Sequence, residues 1–476
     1  MITRTLTAKE SKQQSPNFVV FLTDDQSWVG SSVLMDHKDT RTRSDYYQTP
    51  HIERLAKMGM RFTQGYSPAP FCCPTRRSLL IGQTPARHIY QKDQQNWPKQ
   101  YRRQLTIPQM LKQANPQYMT AHFGKWDFRF DNVTPEEMGY DVSDGYTGNF
   151  TGGAKGSGGP MAVDDPKKIF GITRRTCDFI ETQAQNGKPF FVQVSHYAVH
   201  LDIYYQQESL DKSRKWQRGR KHNMPEFAAM TRDVDLGIGK VIDKIKALGL
   251  QTNTYIFFMS DNGGRLTMPG QPKAELARNH PLRNGKGSMY EGGLRVPFIV
   301  IGPGIKAGSV SKIPVTGLDI LPTIADLAGY NKALPDSLDG GPMTNVLFNQ
   351  GTGHVRRRRP FLLFHHAVQR KPQTALILGK FKLVKTWQDN RLELFDLSRS
   401  PGENDDLSMQ LADKTRELHS YMLTFLEEAN AETRKSPSRK ESRTDNLLTS
   451  ESDGKLRLLP AWSAVCRPRI CPGNRD

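Results

Sequence analysis

Cysteine is scarce in this chain, with 5 residues among 476, and no long apolar run occurs. The cysteines match no zinc-binding spacing and no disulfide framework, and they stand at Cys72, Cys73, Cys177, Cys466 and Cys471. The last two lie in polar, basic sequence, where we expect two thiols rather than a bridge. Because no apolar run reaches about 18 residues, we expect no integral membrane segment. Residues 1–14 also lack the apolar centre of a secretory signal.

Acidic residues are outnumbered, since 48 Asp and Glu face 67 Lys and Arg and give a formal net charge of +19. This excess favours an acidic partner, which can be nucleic acid, a membrane surface or a polyanionic substrate. The four arginines at 356–359 can contact a sulfated polymer or lipid headgroups, although a solvated interdomain loop explains such a run more often. The length predicts a large domain with a smaller companion.

Continuous apolar runs, typical of strands buried on both faces, recur along the first 300 residues. They are found at 17–22, 190–194 and 255–259, and 295–301 is a further strand candidate. A stretch with helical spacing, 225–248, separates the second run from the third. Alternating strands and helices predict an α/β sandwich with a mostly parallel central sheet, whose ligands gather at the carboxyl ends of the strands.

Beyond about residue 366 the pattern changes to short strands followed by a helix at about 408–428. The strand signals lie at 375–378, 381–385 and 393–395. We therefore predict a small C-terminal sheet-and-helix subdomain at 366–430, packed on a large domain at 15–365. Residues 431–476 are rich in Ser, Arg, Lys and Glu with few aromatics, which is the composition of a disordered basic tail.

Two pairs of oxygen-bearing side chains follow two of the predicted strands. Asp24 and Asp25 come just after the first run, and Asp261 and Asn262 come just after the run at 255–259. Adjacent carboxylates at a buried strand end repel each other unless a cation lies between them. One such pair alone is better explained as a turn or a helix cap, but two pairs favour a metal site. Oxygen ligands indicate Ca²⁺ or Mg²⁺, and Ca²⁺ is preferred because it tolerates irregular geometry.

The string Cys72-Cys73-Pro74-Thr75-Arg76 lies where a helix should begin. Good helix formers follow it, and a proline is tolerated in a first turn. A helix amino terminus attracts anions through its free N–H groups and its dipole, so an ester's sulfate or phosphate would bind beside Cys72. Arg76 is one turn further on and can hold the nucleophile and an anion oxygen, although a surface arginine is the ordinary alternative. The pattern suggests a hydrolase of anionic esters.

These features stand in a chain that resembles the type I sulfatases of the alkaline phosphatase-like superfamily. The blocks that carry the resemblance, in order, are TDDQ (23–26), TPHIERLAKMGMRFTQGY (49–66), the string at 72–76, GKW (124–126), SDNGG (260–264), GKGSMYEGGLRVPF (285–298), LDILPT (318–323) and ELFDLSRSPGENDDL (393–407). The Cys-x-Pro-Thr-Arg string alone is a weak signal, but so many ordered blocks are highly specific. The resemblance spans roughly residues 16–428 and implies a large alkaline phosphatase-like sandwich.

The resemblance also implies a reaction. In that family a maturation enzyme converts the cysteine of the string to formylglycine, so Cys72 would become the nucleophile. The modified residue would bind Ca²⁺ together with four other side chains, Asp24, Asp25, Asp261 and Asn262. Arg76 would stabilise the nucleophile's oxyanion, and Lys125 and Lys286 would contact the sulfate.

A histidine should supply the proton for the leaving group. His200, in the string HYAVHLD, matches the family histidine with this role, and His196 is a rival four residues earlier. A positioned acid is typically worth about 10² to 10⁴ in rate, because an unprotonated sugar alkoxide leaves slowly. Two departures from the family pattern are Asp127, where a histidine often contacts the formylglycine, and Ile81, where a threonine is usual. Asp127 can accept a proton, but it adds negative charge to a site for an anion.

Three functions are consistent with this sequence. The favoured one is a sulfuric ester hydrolase that acts on a sulfated carbohydrate, without a nucleic-acid partner. The second is a phosphonate monoester hydrolase or phosphodiesterase of the same fold, and the third is a noncatalytic binder of acidic polymers. The resemblance implies a periplasmic or secreted protein, whereas a native start without an export signal would imply a cytoplasmic one.

Overall fold

The computed structural model describes residues 15–88, 96–128, 132–149, 164–366 and 372–433. The start at 1–14 and nearly all of the predicted tail, with Cys466 and Cys471, lie outside these ranges. In the part that is described, no helix combines the length and the apolar character needed to cross a membrane.

Fourteen strands form three sheets in the described ranges. They are β1 (Asn17–Thr23), β2 (Met60–Phe62), β3 (Gly65–Tyr66), β4 (Met119–Gly124), β5 (Val142–Ser143), β6 (Phe190–Ser195), β7 (Thr254–Ser260), β8 (Phe298–Ile301), β9 (Ser309–Ser311), β10 (Val315–Thr316), β11 (Leu362–His366), β12 (Gln373–Leu378), β13 (Phe381–Thr386) and β14 (Arg391–Asp396). The central sheet has the order β5-β4-β6-β1-β7-β8-β2-β9, while β3 pairs with β10. Within the central sheet only β8 is antiparallel to its neighbours, which confirms the mostly parallel sheet.

Helices in the described ranges cover both faces of the central sheet and one face of the small C-terminal sheet. They are α1 (Pro50–Met58), α2 (Cys72–Ile81), α3 (Trp97–Tyr101), α4 (Ile107–Ala114), α5 (Ile169–Gln185), α6 (Gln207–Arg214), α7 (Pro225–Ala247), α8 (Glu291–Leu294), α9 (Ile320–Leu327), α10 (Thr344–Phe348) and α11 (Ala412–Glu428). Phe18 and Val20 of β1 pack in a core with α2, α4 and α9, whereas Val19 and Phe21 pack with α1, α5 and α7. Alternate side chains of a strand point to opposite faces, so a continuous apolar run contributes side chains to the cores on both faces of the sheet. The predicted α/β sandwich is confirmed.

The predicted strand at 295–301 is shorter than expected. The strand β8 begins at Phe298 and runs antiparallel to β7 and β2. Pro297 has no N–H to donate to a ladder. The N–H of Arg295 is already used by the carbonyl of Glu291 at the end of α8, at 2.8 Å. Apolar content alone did not reveal these two local interruptions.

The C-terminal part contains a small antiparallel sheet of order β11-β12-β13-β14. Its Leu376, Leu383 and Leu394 pack against Leu418 and Met422 of α11. The first strand of this sheet, β11, begins before residue 366. The domain limits 15–365, 366–430 and 431–476 stay a prediction.

A buried ionic cluster joins the small sheet to the large domain. The Nζ atom of Lys382, on β13, lies 2.8 Å from Glu291 Oε1 and 2.9 Å from Glu403 Oε1. Glu291 also contacts Arg295 Nε at 2.6 Å and accepts a hydrogen bond from the Tyr66 hydroxyl at 3.0 Å. All five side chains are buried. The cluster therefore fixes α8, and the segment 285–290 before it, against the small sheet.

Candidate active site

The two predicted pairs of oxygen-bearing side chains meet at the carboxyl ends of β1 and β7. These strands are adjacent, with Thr23 opposite Ser260, so the residues that follow each strand come together. The backbone N–H of Asp25 donates to Asp261 Oδ1 at 3.1 Å, and Asn262 Nδ2 donates to Asp25 Oδ1 at 2.8 Å. Asp24, like these three residues, is buried.

Backbone geometry turns the first pair into the pocket. Asp25 has a φ of 60°, in the left-handed region that few residues other than Gly, Asn and Asp adopt readily. In an extended strand consecutive side chains would point to opposite faces. The left-handed residue ends the strand geometry, and one ligand atom from each of Asp24, Asp25 and His200 lies within 4.8 Å of the others. A sequence pattern does not reveal this turn.

Cys72 is the first residue of α2 and joins the same pocket. Its Sγ atom and one carboxylate oxygen each from Asp24 and Asp261 lie within 4.8 Å of one another. Phe71 precedes the helix in an extended conformation, and Pro74 lies in the first turn. Burial raises the pKa of the Cys72 thiol well above its usual value. A thiolate nucleophile requires a lowered pKa, so the unmodified cysteine is poorly suited to attack an ester.

Arg76 is buried and holds its neighbours in position. Its Nε and Nη2 atoms donate to Asp261 Oδ2 at 3.0 and 2.7 Å, and Nη1 donates to the carbonyl of Lys125 at 2.6 Å. The alternative of a surface arginine is therefore excluded. The observed partners are a carboxylate and a carbonyl, which gives Arg76 a positioning role that the sequence did not predict.

Two lysines reach the carboxylates from other segments. Lys125 Nζ, fully buried, lies 2.5 Å from Asp24 Oδ2 and 3.5 Å from Asp127 Oδ2. Lys286 Nζ pairs with Asp25 Oδ1 and keeps some exposure. The charge of Lys125 holds the pKa of Asp24 well below its usual range, although burial alone would raise it. Each lysine lies beside a carboxylate of the pocket, where it can also reach an anionic ligand.

The two departures from the family pattern lie in different surroundings. Asp127 is buried in the pocket with a φ of 62°, and its N–H donates to the carbonyl of Thr147 at 2.8 Å. Ile81 ends α2 and packs in the large core with Leu79 and Leu80. Asp127 is therefore placed to affect the charge of the site, whereas Ile81 serves packing.

His200 lies beside the carboxylates and His196 does not. His200 Nε2 is 3.8 Å from Asp25 Oδ2, and Nδ1 is 2.5 Å from the carbonyl of Leu201. A carbonyl can only accept, so Nδ1 carries a proton and Nε2 faces the pocket. His196 is fully buried near Gly237 of α7, and burial lowers its pKa to about 4. Geometry favours His200 as the acid.

Several buried oxygens of the pocket fit a hard cation. Asp24 Oδ1, Asp25 Oδ2 and Asn262 Oδ1 are buried and accept no hydrogen bond. Burial and the nearby charge of Asp24 raise the pKa of Asp261 to about 7. Leaving a buried polar atom unpaired costs about 1–3 kcal/mol, and oxygen atoms are the ligands that Ca²⁺ and Mg²⁺ prefer. The residues present therefore fit a divalent cation.

The charges of the pocket lead to the same conclusion. Four carboxylates, those of Asp24, Asp25, Asp127 and Asp261, are buried beside three permanent cations, those of Arg76, Lys125 and Lys286. With all of these groups ionised, the four negative charges exceed the three positive ones, and the nearby Lys167 would only neutralise the difference, so the pocket would not attract a sulfate. A divalent cation would make it positive and attractive to an anion.

Lys167 is a residue of this region that the sequence did not indicate. It is buried, has a φ of 60°, and its Nζ lies 5.8 Å from the centre of the Tyr204 ring. Burial lowers its pKa to about 8, and the charges of Asp24 and Asp202 act in the opposite direction. No motif surrounds it in the sequence, and only the folded chain brings its charge near the pocket.

The basic run at 356–359 is largely engaged within the protein. Arg357 forms two hydrogen bonds with the buried carboxylate of Asp319, and Arg359 pairs with Glu428. Arg358 Nη1 donates to the carbonyl of Asp336 at 2.6 Å. These contacts favour a structural role for the run over polymer binding.

The fold and the pocket together define a hydrolase of the alkaline phosphatase-like superfamily. The sulfatase family model matches residues 16–330, and the model named "N-sulphoglucosamine sulphohydrolase, C-terminal" matches residues 284–432. The chain belongs to the sulfatase family. It is therefore a sulfatase, an enzyme that hydrolyses sulfate esters, and this favours catalysis over the noncatalytic interpretation.

Relatives and a solved structure agree with this assignment. The chain is 26% identical to a sulfatase of Formosa agariphila, over 89% of this chain and 91% of that protein. It is 28% identical to the N-acetylgalactosamine-6-sulfatase of Rattus norvegicus, over 82% of this chain and 76% of that protein. The crystal structure of Ps i-CgsB in complex with k-i-k-neocarrahexaose has the same fold, with a TM-score of 0.72 and 23% identity over 91% of this chain and 97% of that chain.

Proposed function

We propose that this sulfatase removes sulfate from a sulfated carbohydrate, with formylglycine formed from Cys72 and a bound divalent cation. The observation that carries the proposal is the meeting of Cys72 with Asp24 and Asp261 at the amino end of α2. A protonated, buried thiol beside unpaired carboxylate oxygens is a poor site for cysteine chemistry. It suits a modified residue that binds a cation together with the carboxylates.

A carbohydrate substrate is supported by two similar proteins and by charge. One relative is an N-acetylgalactosamine-6-sulfatase, and one protein of the same fold was crystallised with a neocarrahexaose. The net charge of +19 suits a polyanionic substrate. Together these observations favour sulfated glycans over small aryl sulfates as the natural substrates.

The cation would be held by the oxygen atoms of Asp24, Asp25, Asp261 and Asn262 and by the modified residue 72. Ca²⁺ is the preferred ion and Mg²⁺ the less favoured one, because Ca²⁺ tolerates irregular arrangements of oxygen ligands and Mg²⁺ demands a nearly ideal octahedron. When bound, the ion supplies positive charge that polarises the sulfate and balances the carboxylates.

The protein's own residues bind and orient the ester. The amino end of α2, where Cys72 lies, carries the positive end of the helix dipole and attracts the sulfate oxygens. Lys125 and Lys286 lie beside the carboxylates and can turn to the sulfate, which neutralises charge on the transferring group. Arg76 holds Asp261 and the backbone of Lys125 in register. Once a water molecule has hydrated it, a formylglycine at position 72 would carry two geminal hydroxyls. One would attack sulfur and displace the sugar oxygen, and loss of the proton from the other would re-form the aldehyde as sulfate leaves.

His200 is placed to protonate the leaving oxygen. Its Nδ1 proton is held by the Leu201 carbonyl, so Nε2 faces the pocket. Burial lowers its pKa, which makes the protonated ring a stronger acid than an exposed histidine. Asp127 lies near Lys125 and can accept the proton of the second hydroxyl.

Mass analysis of the peptide that contains Cys72 tests the nucleophile. The protein is expressed with and without a formylglycine-generating enzyme, and we expect an aldehyde at position 72 only with the enzyme. Sulfate release from sulfated oligosaccharides should follow the aldehyde content and disappear in C72A. An unmodified thiol in an active preparation would overturn the proposal.

Comparison of matched esters tests the alternative of a phosphonate monoester hydrolase or phosphodiesterase. An aryl sulfate and an aryl phosphonate with the same leaving group are given to the modified enzyme. We expect kcat/KM to favour the sulfate, whereas a preference for the phosphonate would support the alternative.

A further inference from the structure

We propose that a second, basic site on this enzyme binds sulfate groups of a sulfated polysaccharide at a distance from the residue that is hydrolysed. We call it the basic cleft. Its lining comes mainly from residues 40–48 and 216–221 with His280, and Lys215 and Arg218 adjoin these lining residues in the sequence. The inference rests on the proposed function for its ligand class, because a polymeric sulfated substrate presents many sulfates to one enzyme. None of the active-site residues lines this cleft.

The two segments of the basic cleft are fastened to each other. Asp45 accepts hydrogen bonds from the backbone N–H groups of Arg220, Lys221 and His222, at 2.8, 3.0 and 3.1 Å. The Nζ atom of Lys221 donates to the carbonyl of Arg41 at 2.6 Å. The walls are therefore preorganised, which lowers the entropic cost of ordering them when a ligand binds.

The cleft encloses a volume of about 550 Å³. Its lining includes Arg41, Arg43, Tyr46, Trp216, Arg220 and Lys221. The Tyr46 and Trp216 rings meet edge to face at 6.1 Å, and this pair forms part of the wall. Arginines around an aromatic wall provide bidentate donors for sulfate oxygens and an apolar surface for a sugar ring.

The charge of this surface is not balanced within the protein. Residues 212–221 contain six cations and no carboxylate. In the described ranges, the exposed residues Arg43, Lys215 and Arg218 form no ion pair or side-chain hydrogen bond, whereas Arg41 pairs with Asp39 and Arg220 with Glu275. Arg43 lines the cleft, and Lys215 and Arg218 lie in the adjoining segment. The one carboxylate among the described lining residues, Asp45, accepts backbone N–H groups. Cations without partners around a concave surface attract a polyanion. This surface contrasts with the run at 356–359, where three of four arginines have partners.

One apolar cluster connects the wall of the basic cleft to the segment that carries His200. Val199 and Leu201, which flank His200, pack in one apolar cluster with Tyr46 and Trp216. A polymer whose terminal or internal sulfate enters the pocket can therefore extend towards the cleft. A sulfated polysaccharide fits this arrangement better than a nucleic acid, because the neighbouring active site acts on sulfate esters.

Binding measurements test the cleft without turnover. The full chain with the C72A substitution is titrated with fluorescent dextran sulfate, unsulfated dextran and a single-stranded oligonucleotide at low ionic strength. We expect R43Q/R218Q to bind dextran sulfate about five- to tenfold more weakly, since each exposed ion pair contributes modestly. The control R103Q/R356Q removes two exposed, unpaired arginines elsewhere and should bind as the parent does.

Kinetics with the modified enzyme separates the cleft from the active site. R43Q/R218Q should hydrolyse a small aryl sulfate at the parental rate and show a raised KM for a sulfated polysaccharide. Equal binding by both double variants, or an equal loss in both, would overturn the cleft. The proposal would also be overturned if the oligonucleotide bound as tightly as dextran sulfate and the same substitutions abolished its binding. The failure of the proposed function has a different outcome. If the enzyme releases no sulfate from any carbohydrate, but only R43Q/R218Q weakens binding of dextran sulfate, the proposed substrate is wrong and the binding site in the cleft is supported.

Discussion

Arg76 donates both Nε and Nη2 to one carboxylate oxygen of Asp261, at 3.0 and 2.7 Å, and both side chains are buried. The pair links the helix that carries Cys72 to the strand end that carries the second pair of oxygen ligands. It therefore fixes the distance between the proposed nucleophile and the proposed cation.

Replacement of this arginine by lysine tests that link. We expect R76K to lower kcat by about 100-fold, because a lysine cannot reproduce the fork and the ligands shift. The matched control is R87K, since Arg87 makes a similar fork with Asp339 outside the pocket. Steady-state kinetics and thermal unfolding of both variants are compared. Equal losses of kcat in the two variants would contradict a specific role for Arg76.

A second prediction concerns the leaving group. H200A should lower kcat about 10²- to 10⁴-fold for a sugar sulfate, whose alkoxide needs a proton, and much less for an activated aryl sulfate. The readout is the loss of kcat on the sugar sulfate divided by the loss on the aryl sulfate. A purely structural role of His200 would lower both rates equally and leave this ratio near one. H37A, at an exposed histidine, should leave both rates unchanged. Similar losses on both substrates would argue against proton donation by His200.

The cation can be detected without activity. Ca²⁺ at saturating concentration should raise the unfolding temperature of the wild-type protein by roughly 5 °C, because a ligand that binds the folded state stabilises it. D25N should lose this increase, since Asp25 Oδ2 is one of the unpaired buried oxygens. D211N, at an exposed carboxylate, should keep it. A Ca²⁺ response that persists in D25N would contradict the proposed site.

The cluster around Lys382 predicts a large effect on stability. K382M leaves Glu291 and Glu403 buried without their shared cation, and we expect it to lower the free energy of unfolding by about 3–5 kcal/mol. K414M, which breaks the exposed pair with Glu417, should cost less than about 1 kcal/mol. Urea unfolding measures both. Equal small effects would show that the cluster does not fasten the small sheet.

Asp396 gives a prediction for pH. Lys380 Nζ lies 2.8 Å away, and the Ser398 N–H donates at 3.0 Å, which together lower the pKa of the buried Asp396 to about 2 against the penalty of burial. A lowered folded pKa stabilises the protein above the unfolded value, and this stabilisation is lost as pH falls through the folded one. The free energy of unfolding of wild type should exceed that of D396N by about 2 kcal/mol at neutral pH. The difference should shrink between about pH 4 and pH 2, and K380M should remove part of the same trend.

The fold was largely predictable because its signals are local. A strand that feeds two cores needs apolar residues at every position, and β1 shows this directly. Pro74 and the residues of high helix propensity that follow it correctly indicated the start of α2. The strand β8 was predicted, but its antiparallel direction was not, because apolar content gives no strand direction. Its start was placed too early because Pro297 interrupts the ladder.

The candidate site was predictable in its members and less so in its contacts. The sequence placed Asp24 and Asp261 after two buried strands, and the structure makes these strands adjacent and brings both residues near Cys72. It did not predict that Arg76 bonds to Asp261 or that Lys167 lies close by. Both features depend on side chains from distant segments, and no local spacing encodes such contacts. The roles of these residues stay predictions until the experiments above are done.

The left-handed backbone of Asp25 restricts what can replace it. Glycine would preserve the turn but provide no oxygen, glutamate would provide oxygen but resist the turn, and a β-branched residue would do neither. Only asparagine keeps the shape with a neutral ligand. Position 25 therefore has to meet two requirements, a left-handed backbone and a charged oxygen ligand. In saturation mutagenesis that measures folding and turnover separately, Gly and Asn should preserve folding, whereas only Asp should preserve turnover.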